Sequence, residues 1–347
     1  MKRYGYLYEK IYDVDNILVA HKNASRGKSH YKEVKRINKN PEWYAHKIHK
    51  MLKNQTFRNS KYTVFEKTDS GKMRTIYKLP YYPDRIVHHA IMQVLEPIWV
   101  PTFINDTYAC IIGRGIHKGV KRIQQALKYF PKSTKYCLKC DVQKFYPSIN
   151  HDVLKETIRK KIKDEKLLEL LDIIINSAIG VPIGNYLSQH FGNLYLSCID
   201  HYFKEKIGLK FYFRYCDDIV ILHKSKKRLH YIKNLLKKRL KGIKLQLKQN
   251  WQVFPVEIRG IDFLGYRMFS DYTILRKNIA IRMKKKFRKL NESQNVINIV
   301  MSYYGWANKA NCQNLLKFLI SKKIKLLMYH VAKIQGIPNP RYCIRGV

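Results

Sequence analysis

Two short β-rich runs in this chain end in carboxylates, and that pairing constrains the fold more than any other feature. Tyr136 to Val142 is an apolar run that closes on Asp141. Farther along, Lys210–Arg214 and Ile219–Leu222 flank Tyr215-Cys216-Asp217-Asp218, which reads as a hairpin with acids at its tip. Helical patterns lie between and around them: Ile149-Asn150-His151-Asp152 opens a helix to about Lys163 with Asn150 as its cap, and another spans about Leu187 to Lys206. Strands mixed with long helices argue α+β, with helices on one face of an antiparallel sheet. Such a sheet brings acids from separate strands together.

Acids gathered in this way need a reason here, because 68 Lys plus Arg face only 25 Asp plus Glu, a formal charge of +43. The excess would strain a compact state unless a polyanion neutralises it, which favours nucleic acid over acidic lipid. Hard divalent cations such as Mg²⁺ take carboxylate and phosphate oxygens, and a pair of ions can activate a 3′-hydroxyl and stabilise leaving pyrophosphate. The Asp-Asp dipeptide by itself is weak, since 14 Asp in 347 residues give about half of one by chance. Its place at a hairpin tip is what raises it.

With 46% apolar and 13% aromatic residues the chain has material for a core, which excludes intrinsic disorder. The length suggests about two domains, or one large fold with an appendage. The start, Met1-Lys2-Arg3-Tyr4-Gly5-Tyr6, lacks the apolar core of a signal peptide, and no run approaches the length of a spanning helix, so a cytoplasmic protein without membrane contact is expected. Seven scattered Cys imply free thiols. Cys137 and Cys140 lack a second pair at zinc spacing and read as strand residues.

Residues 1–60 read as a helical N-terminal region, with Asn23-Ala24-Ser25-Arg26-Gly27-Lys28-Ser29 either a phosphate-grasping loop or a linker. Tyr62–Glu66 and Met73–Tyr77 form a hairpin about Thr68-Asp69-Ser70-Gly71-Lys72, followed by an apolar helix from Arg85 to Trp99 between prolines. After Arg276 the pattern is helical and basic, with Lys284-Lys285-Lys286 and Lys322-Lys323. This tail is the candidate appended domain.

Asp141-Val142-Gln143-Lys144-Phe145-Tyr146-Pro147-Ser148-Ile149 resembles the first catalytic motif of reverse transcriptases, and Tyr215-Cys216-Asp217-Asp218 resembles their Tyr-x-Asp-Asp box. Between them Gly180-Val181-Pro182-Ile183-Gly184-Asn185-Tyr186-Leu187-Ser188-Gln189 takes the place of the template and nucleotide segment, and Ile261-Asp262-Phe263-Leu264-Gly265-Tyr266 resembles the primer grip. The resemblance covers about residues 60 to 345. It implies a right-hand polymerase with an N-terminal helical region at 1–60, fingers at 61–135, a palm with the carboxylates at 136–270 (about 150–190 partly returning to the fingers) and a basic helical thumb at 271–347. No RNase H domain, maturase or endonuclease extension is expected after the thumb.

The resemblance further implies that Asp141 and Asp217 hold two Mg²⁺ ions with Asp218 beside them, for which a helix cap is the alternative reading. Tyr146 matches the bulky residue that leaves no room for a 2′-hydroxyl, with a core aromatic as the alternative. Lys72 and Arg74 match the basic pair on the triphosphate, where a guanidinium suits phosphate oxygens. Ile183, Gly184, Ser188 and Gln189 complete the nucleotide-binding set, Lys248 matches a lysine that protonates pyrophosphate, and Phe263, Leu264, Gly265 and Tyr266 form the primer grip. His88 and His89, adjacent on one helix without a carboxylate partner, are read as structural or RNA-facing.

Most reverse transcriptases have Pro-Gln-Gly in the middle segment, whereas this chain has Pro182-Ile183-Gly184 and Ser188-Gln189. That combination, with Asp84-Arg85-Ile86-Val87-His88-His89-Ala90 and Ser302-Tyr303-Tyr304-Gly305-Trp306, resembles the enzymes of diversity-generating retroelements. These copy a template-repeat RNA with errors at adenines and donate the cDNA to a variable gene by mutagenic retrohoming. The implied partners are a structured template-repeat RNA serving as template and primer, deoxynucleotides, the cDNA product and a pentameric accessory variability protein, in a bacterial or phage-infected cell. Ile183 in place of an amide removes a hydrogen-bonding group near the nascent pair, so Ile183 with Arg74 would set low fidelity opposite adenine. The alternatives are a defence-associated or retron-like reverse transcriptase, and a catalytically silent RNA-binding module.

Overall fold

The structure, a computed structural model, describes residues 2–69, 71–290, 296–320 and 322–334. Nine strands lie among them. β1 (Thr63–Asp69) and β2 (Lys72–Lys78) form a hairpin; β3 (Tyr136–Asp141), β4 (Tyr212–Tyr215), β5 (Asp218–His223) and β6 (Gln252–Pro255) form a sheet in the order β4-β5-β3-β6; and β7 (Ile261–Phe263), β8 (Tyr266–Met268) and β9 (Thr273–Leu275) form a third sheet in sequence order. The chain divides into two compact units. One takes Met1–Ile112, Cys140–Ile219 and Ile232–Trp251, and the other Gly113–Lys139, Val220–Tyr231 and Gln252–Val347.

In the first unit the N-terminal helices start where the sequence supplies caps. Asp13 accepts from the Asn16 N–H to open Val14–Ser25, and Asn40 accepts from the Trp43 N–H, with Pro41 at the first helical position, to open Pro41–Lys53. The Val14–Ser25 helix packs between the Pro41–Lys53 helix and the Ile86–Trp99 helix, whose Ile86, Val87, Ala90, Ile91, Leu95 and Trp99 are buried. His88 and His89 are buried too, which holds their rings neutral and lowers their pKa to about 3 and about 4; His89 stacks on Tyr186 with centroids 3.9 Å apart. The structural reading of both therefore fits. The expected cytoplasmic placement rests on sequence alone; among the described residues no helix is long and apolar enough to cross a membrane.

Asn150 caps its helix as expected, accepting from the Val153 N–H, but that helix runs only His151–Arg159 rather than to Lys163. The chain leaves it because Tyr4 pairs with this stretch: the Tyr4 N–H donates to the Lys161 carbonyl and the Lys163 N–H to the Tyr4 carbonyl, both 2.8 Å. Tertiary pairing overrides helix propensity there. The expected Leu187–Lys206 helix is regular over Tyr186–His201 and then widens over Tyr202–Lys206. Cys137 and Cys140 lie buried with free thiols in β3.

In the second unit Asp262 of β7 accepts from Arg276 Nε at 2.6 Å, and Tyr266 of β8 donates to the Trp306 carbonyl at 2.8 Å, which ties the small sheet to the Val296–Ala307 helix. The basic helix Lys277–Arg288 follows with only Met283 and Phe287 buried. The last part of the expected thumb, residues 335–347, lies outside the described residues.

Candidate active site

The site is built where β3 ends and the β4–β5 turn begins. Asp141 is the last residue of β3, and the two-residue turn Cys216-Asp217 joins β4 to β5, which opens with Asp218. β5 is the sheet neighbour of β3, and the Cys140 thiol lies 3.9 Å from the Ile219 carbonyl. Asp217 lies close enough to Asp141 for the two carboxyls to act on one another. Burial and the Asp141 charge together push the Asp217 carboxyl well above the usual carboxylate range, with Asp218 adding least. Among the described residues no three His, Cys, Asp or Glu side chains gather as a metal-holding group, so the carboxylates meet as a pair with Asp218 beside them.

Lys248 is brought to this pair by backbone pairing. The Gln143 N–H donates to the Gln246 carbonyl and the Lys248 N–H to the Asp141 carbonyl, each at 2.9 Å, so the Leu245–Lys248 segment runs alongside the end of β3. Lys248 Nζ then stands 3.5 Å from Asp141 Oδ2.

The turn has its own scaffold. Cys216 adopts φ +56°, a left-handed conformation uncommon for a side chain other than glycine. Arg214 Nη1 donates to its carbonyl at 2.8 Å, and Arg214 is itself fully buried against fully buried Asp200, with Nε and Nη2 both reaching the carboxylate at 2.6 to 2.9 Å. Tyr212 and Thr107 donate their hydroxyls to the same carboxylate, and Asn193 Oδ1 accepts from Arg214. Every charge in this network has partners. Sequence reasoning missed it, although an arginine closing the apolar run Phe211-Tyr212-Phe213 and an aspartate ending the apolar Leu194–Ile199 stretch were signals.

Tyr146 lies half-buried in the short Phe145–Ser148 helix, its hydroxyl 3.1 Å from the Cys216 thiol. Burial raises the Tyr146 pKa, and burial with the Asp217 charge pushes the Cys216 thiol up to about 12. The 180–189 segment approaches from another side: Val181 N–H donates to the Tyr146 carbonyl at 2.9 Å, and Ser188, buried, donates its hydroxyl to the Pro182 carbonyl at 2.6 Å. Gln189 is exposed. Ile183 is half-exposed, while its carbonyl accepts from the Tyr77 N–H at 2.9 Å, joining this segment to the base of the β1–β2 hairpin. Gly184, at φ +130°, passes so close that any Cβ would overlap the Tyr77 carbonyl oxygen. Arg74 is exposed on β2 opposite Lys67; the Lys72 side chain lies outside the described residues. Phe263, Leu264, Gly265 and Tyr266 form the β7–β8 turn of the second unit, where a Cβ on Gly265 would stand 2.5 Å from the Trp306 ring.

An antiparallel sheet that sets one strand-end carboxylate against a second at a hairpin tip, flanked by helices, defines the palm of the right-hand polymerases. The family model for reverse transcriptase (RNA-dependent DNA polymerase) matches residues 65–268, and the chain belongs to that family. Among curated proteins it is 24% identical to Protein YkfC of Escherichia coli K12, over 64% of this chain and 71% of that one. It is 25% identical to the group II intron-encoded protein LtrA of Lactococcus lactis, over 39% of this chain but only 24% of LtrA. Apo telomerase from Candida tropicalis shares the fold with a TM-score of 0.53 at 13% identity, covering 83% of this chain and 58% of the telomerase. The same telomerase in complex with the TWJ fragment of telomeric RNA gives 0.51 at 13% identity, over 88% of this chain and 58% of that one.

Proposed function

We propose that this chain is an RNA-directed DNA polymerase that copies a structured template-repeat RNA into error-prone cDNA for mutagenic retrohoming in a diversity-generating retroelement. The observation that carries the polymerase part is the approach of Asp217 at the hairpin tip to Asp141 at the end of β3, close enough that, after burial, the Asp141 charge raises the Asp217 carboxyl. Oxygen ligands of like charge suit Mg²⁺. Asp141 and Asp217 would hold two such ions with Asp218 beside them, and the ions would supply activation of the primer 3′-hydroxyl and charge neutralisation at the leaving group. Lys248, 3.5 Å from Asp141, would give a proton to departing pyrophosphate. Tyr146 would close the floor beneath the incoming sugar, and Arg74 with Lys72 would take the triphosphate from the hairpin. Phe263, Leu264, Gly265 and Tyr266 would hold the primer end.

The retroelement assignment rests on Pro182-Ile183-Gly184 and Ser188-Gln189. Ile183 presents an aliphatic side chain where an amide would bond, so geometry at the nascent pair is policed less tightly. The +43 charge suits a long RNA, whose contacts to many phosphates would weaken steeply with salt. A basic accessory protein would be repelled by this chain, so the RNA is the expected bridge between them. Primer extension on poly-rA with Mg²⁺, set against Asp217→Ala, tests the polymerase, and unaltered synthesis by the variant would sink it. Sequencing cDNA made with the accessory protein and cognate RNA tests the rest: errors concentrated at template adenines support the retroelement role, and an even spectrum favours the defence-associated or retron-like reading.

A further inference from the structure

The hydroxyl of Tyr146 and the thiol of Cys216 meet at 3.1 Å, and neither group is placed there by chance packing. Cys216 is held in its left-handed conformation at φ +56° with its carbonyl fixed by Arg214, which Asp200 locks in turn. The Tyr146 ring is confined on its other sides. It leans on Phe145 with centroids 5.2 Å apart at 52°, and Gly192 of the Tyr186–His201 helix makes room for both rings, since a Cβ there would stand 3.0 Å from Phe145 and 3.4 Å from Tyr146. Its carbonyl, which accepts from the Val181 N–H, faces Gly180 so closely that a Cβ would come within 2.5 Å. The hydroxyl end is the remaining freedom of the ring, and the thiol takes it.

We infer that Cys216 is a specificity-determining residue: by anchoring the Tyr146 hydroxyl it fixes the height of the ring under the sugar, and so sets discrimination against ribonucleotides. The inference rests on the proposed place of Tyr146 beneath the incoming sugar. Rejecting one extra hydroxyl by bulk alone is a weak form of selection, and a ring that can tilt by a fraction of an ångström loses part of it. Cys216 sits in the same turn as Asp217, so the element that would carry the metal-binding carboxylate also carries the prop of the sugar gate.

The test uses the full chain on a primed homopolymer, reading the ratio of kcat/KM for a ribonucleotide to that for the matching deoxynucleotide. Cys216→Ala and Tyr146→Phe remove the two ends of one contact while keeping the ring. Each is expected to raise the ratio about 3- to 10-fold, with the double variant no higher than either single one, and Cys216→Ser to stay near the parent. Tyr146→Ala tests the underlying gate and is expected to raise the ratio on the order of 100-fold. A parental ratio in Cys216→Ala while Tyr146→Ala opens the gate would overturn the inference and leave the gate standing. Additive effects of Cys216→Ala and Tyr146→Phe, or slower deoxynucleotide use at an unchanged ratio, would overturn it as well. An unchanged ratio in Tyr146→Ala would remove the gate and the inference together.

Discussion

Two charge clusters sit within the same unit, at either side of a few residues of β4, and they are built to opposite rules. Asp200 and Arg214 are fully buried, with opposite charges meeting in a planar fork and the remaining oxygens satisfied by Tyr212 and Thr107. Asp141 and Asp217 are half-buried, bear the same charge, and have Lys248 at 3.5 Å as the cation beside them. The first cluster is complete without a ligand and belongs to the scaffold. The second is eased when a proton or a cation intervenes, as the proposed divalent-ion centre would require. Through the Arg214 bond to the Cys216 carbonyl the satisfied cluster holds the unsatisfied one in place.

The two clusters should respond in opposite ways to substitution. Asp217→Asn should lower primer extension on the order of 10³-fold, about 4 kcal/mol of barrier, while leaving thermal stability equal to the parent or higher. The sign follows from the raised carboxyl. A folded-state pKa above the unfolded one contributes stability fully present below the unfolded value, and that contribution is lost as pH rises through the folded one. Metal-free parent should therefore lose stability relative to Asp217→Asn as pH climbs from the ordinary carboxylate range toward neutrality, and Mg²⁺ should close the gap. Melting curves of both proteins at several pH values, with and without the ion, would show it.

Arg214→Met should do the reverse, costing about 3–5 kcal/mol of unfolding free energy because Asp200 is left buried and unpaired. Urea unfolding measures this, and a stability loss below about 1 kcal/mol would mean the pair is not what fixes β4. Lys248→Ala should reduce the rate about 100-fold with the deoxynucleotide KM little changed, as loss of a proton donor in the transition state would. The smallest effect should be at Ile183: Ile183→Asn or Ile183→Gln should lower errors opposite adenine a few-fold without altering stability. Errors at the parental rate in both variants would take Ile183 out of the fidelity argument.

The parts of this molecule legible in the sequence are those written in local pattern. The β1–β2 hairpin follows from β-rich runs about Gly71, the Ile86–Trp99 helix from an apolar run between prolines, and the acid ends of β3 and β5 from two short apolar runs. The Asp141–Asp217 encounter was legible because strand-end acids on one sheet have few places to go. What stayed hidden depends on partners far along the chain. The His151–Arg159 helix stops early because of Tyr4, some 150 residues upstream, and the Arg214–Asp200 pair needs a helix packed behind the sheet before two charges in apolar stretches make sense. The Cys216–Tyr146 contact spans 70 residues and depends on a turn conformation no periodicity reveals.

The join between the β1–β2 hairpin and the 180–189 segment separates two kinds of evolutionary freedom. Position 184 has no tolerated neighbours, because any side chain there would displace the Tyr77 carbonyl. Position 183 is held by its carbonyl alone, which every amino acid supplies, while its side chain is half-exposed. Residue identity at 183 can thus drift through many alternatives without disturbing the backbone that carries it. Under the proposed fidelity role, position 183 would be a dial for variation that turns without loosening the frame.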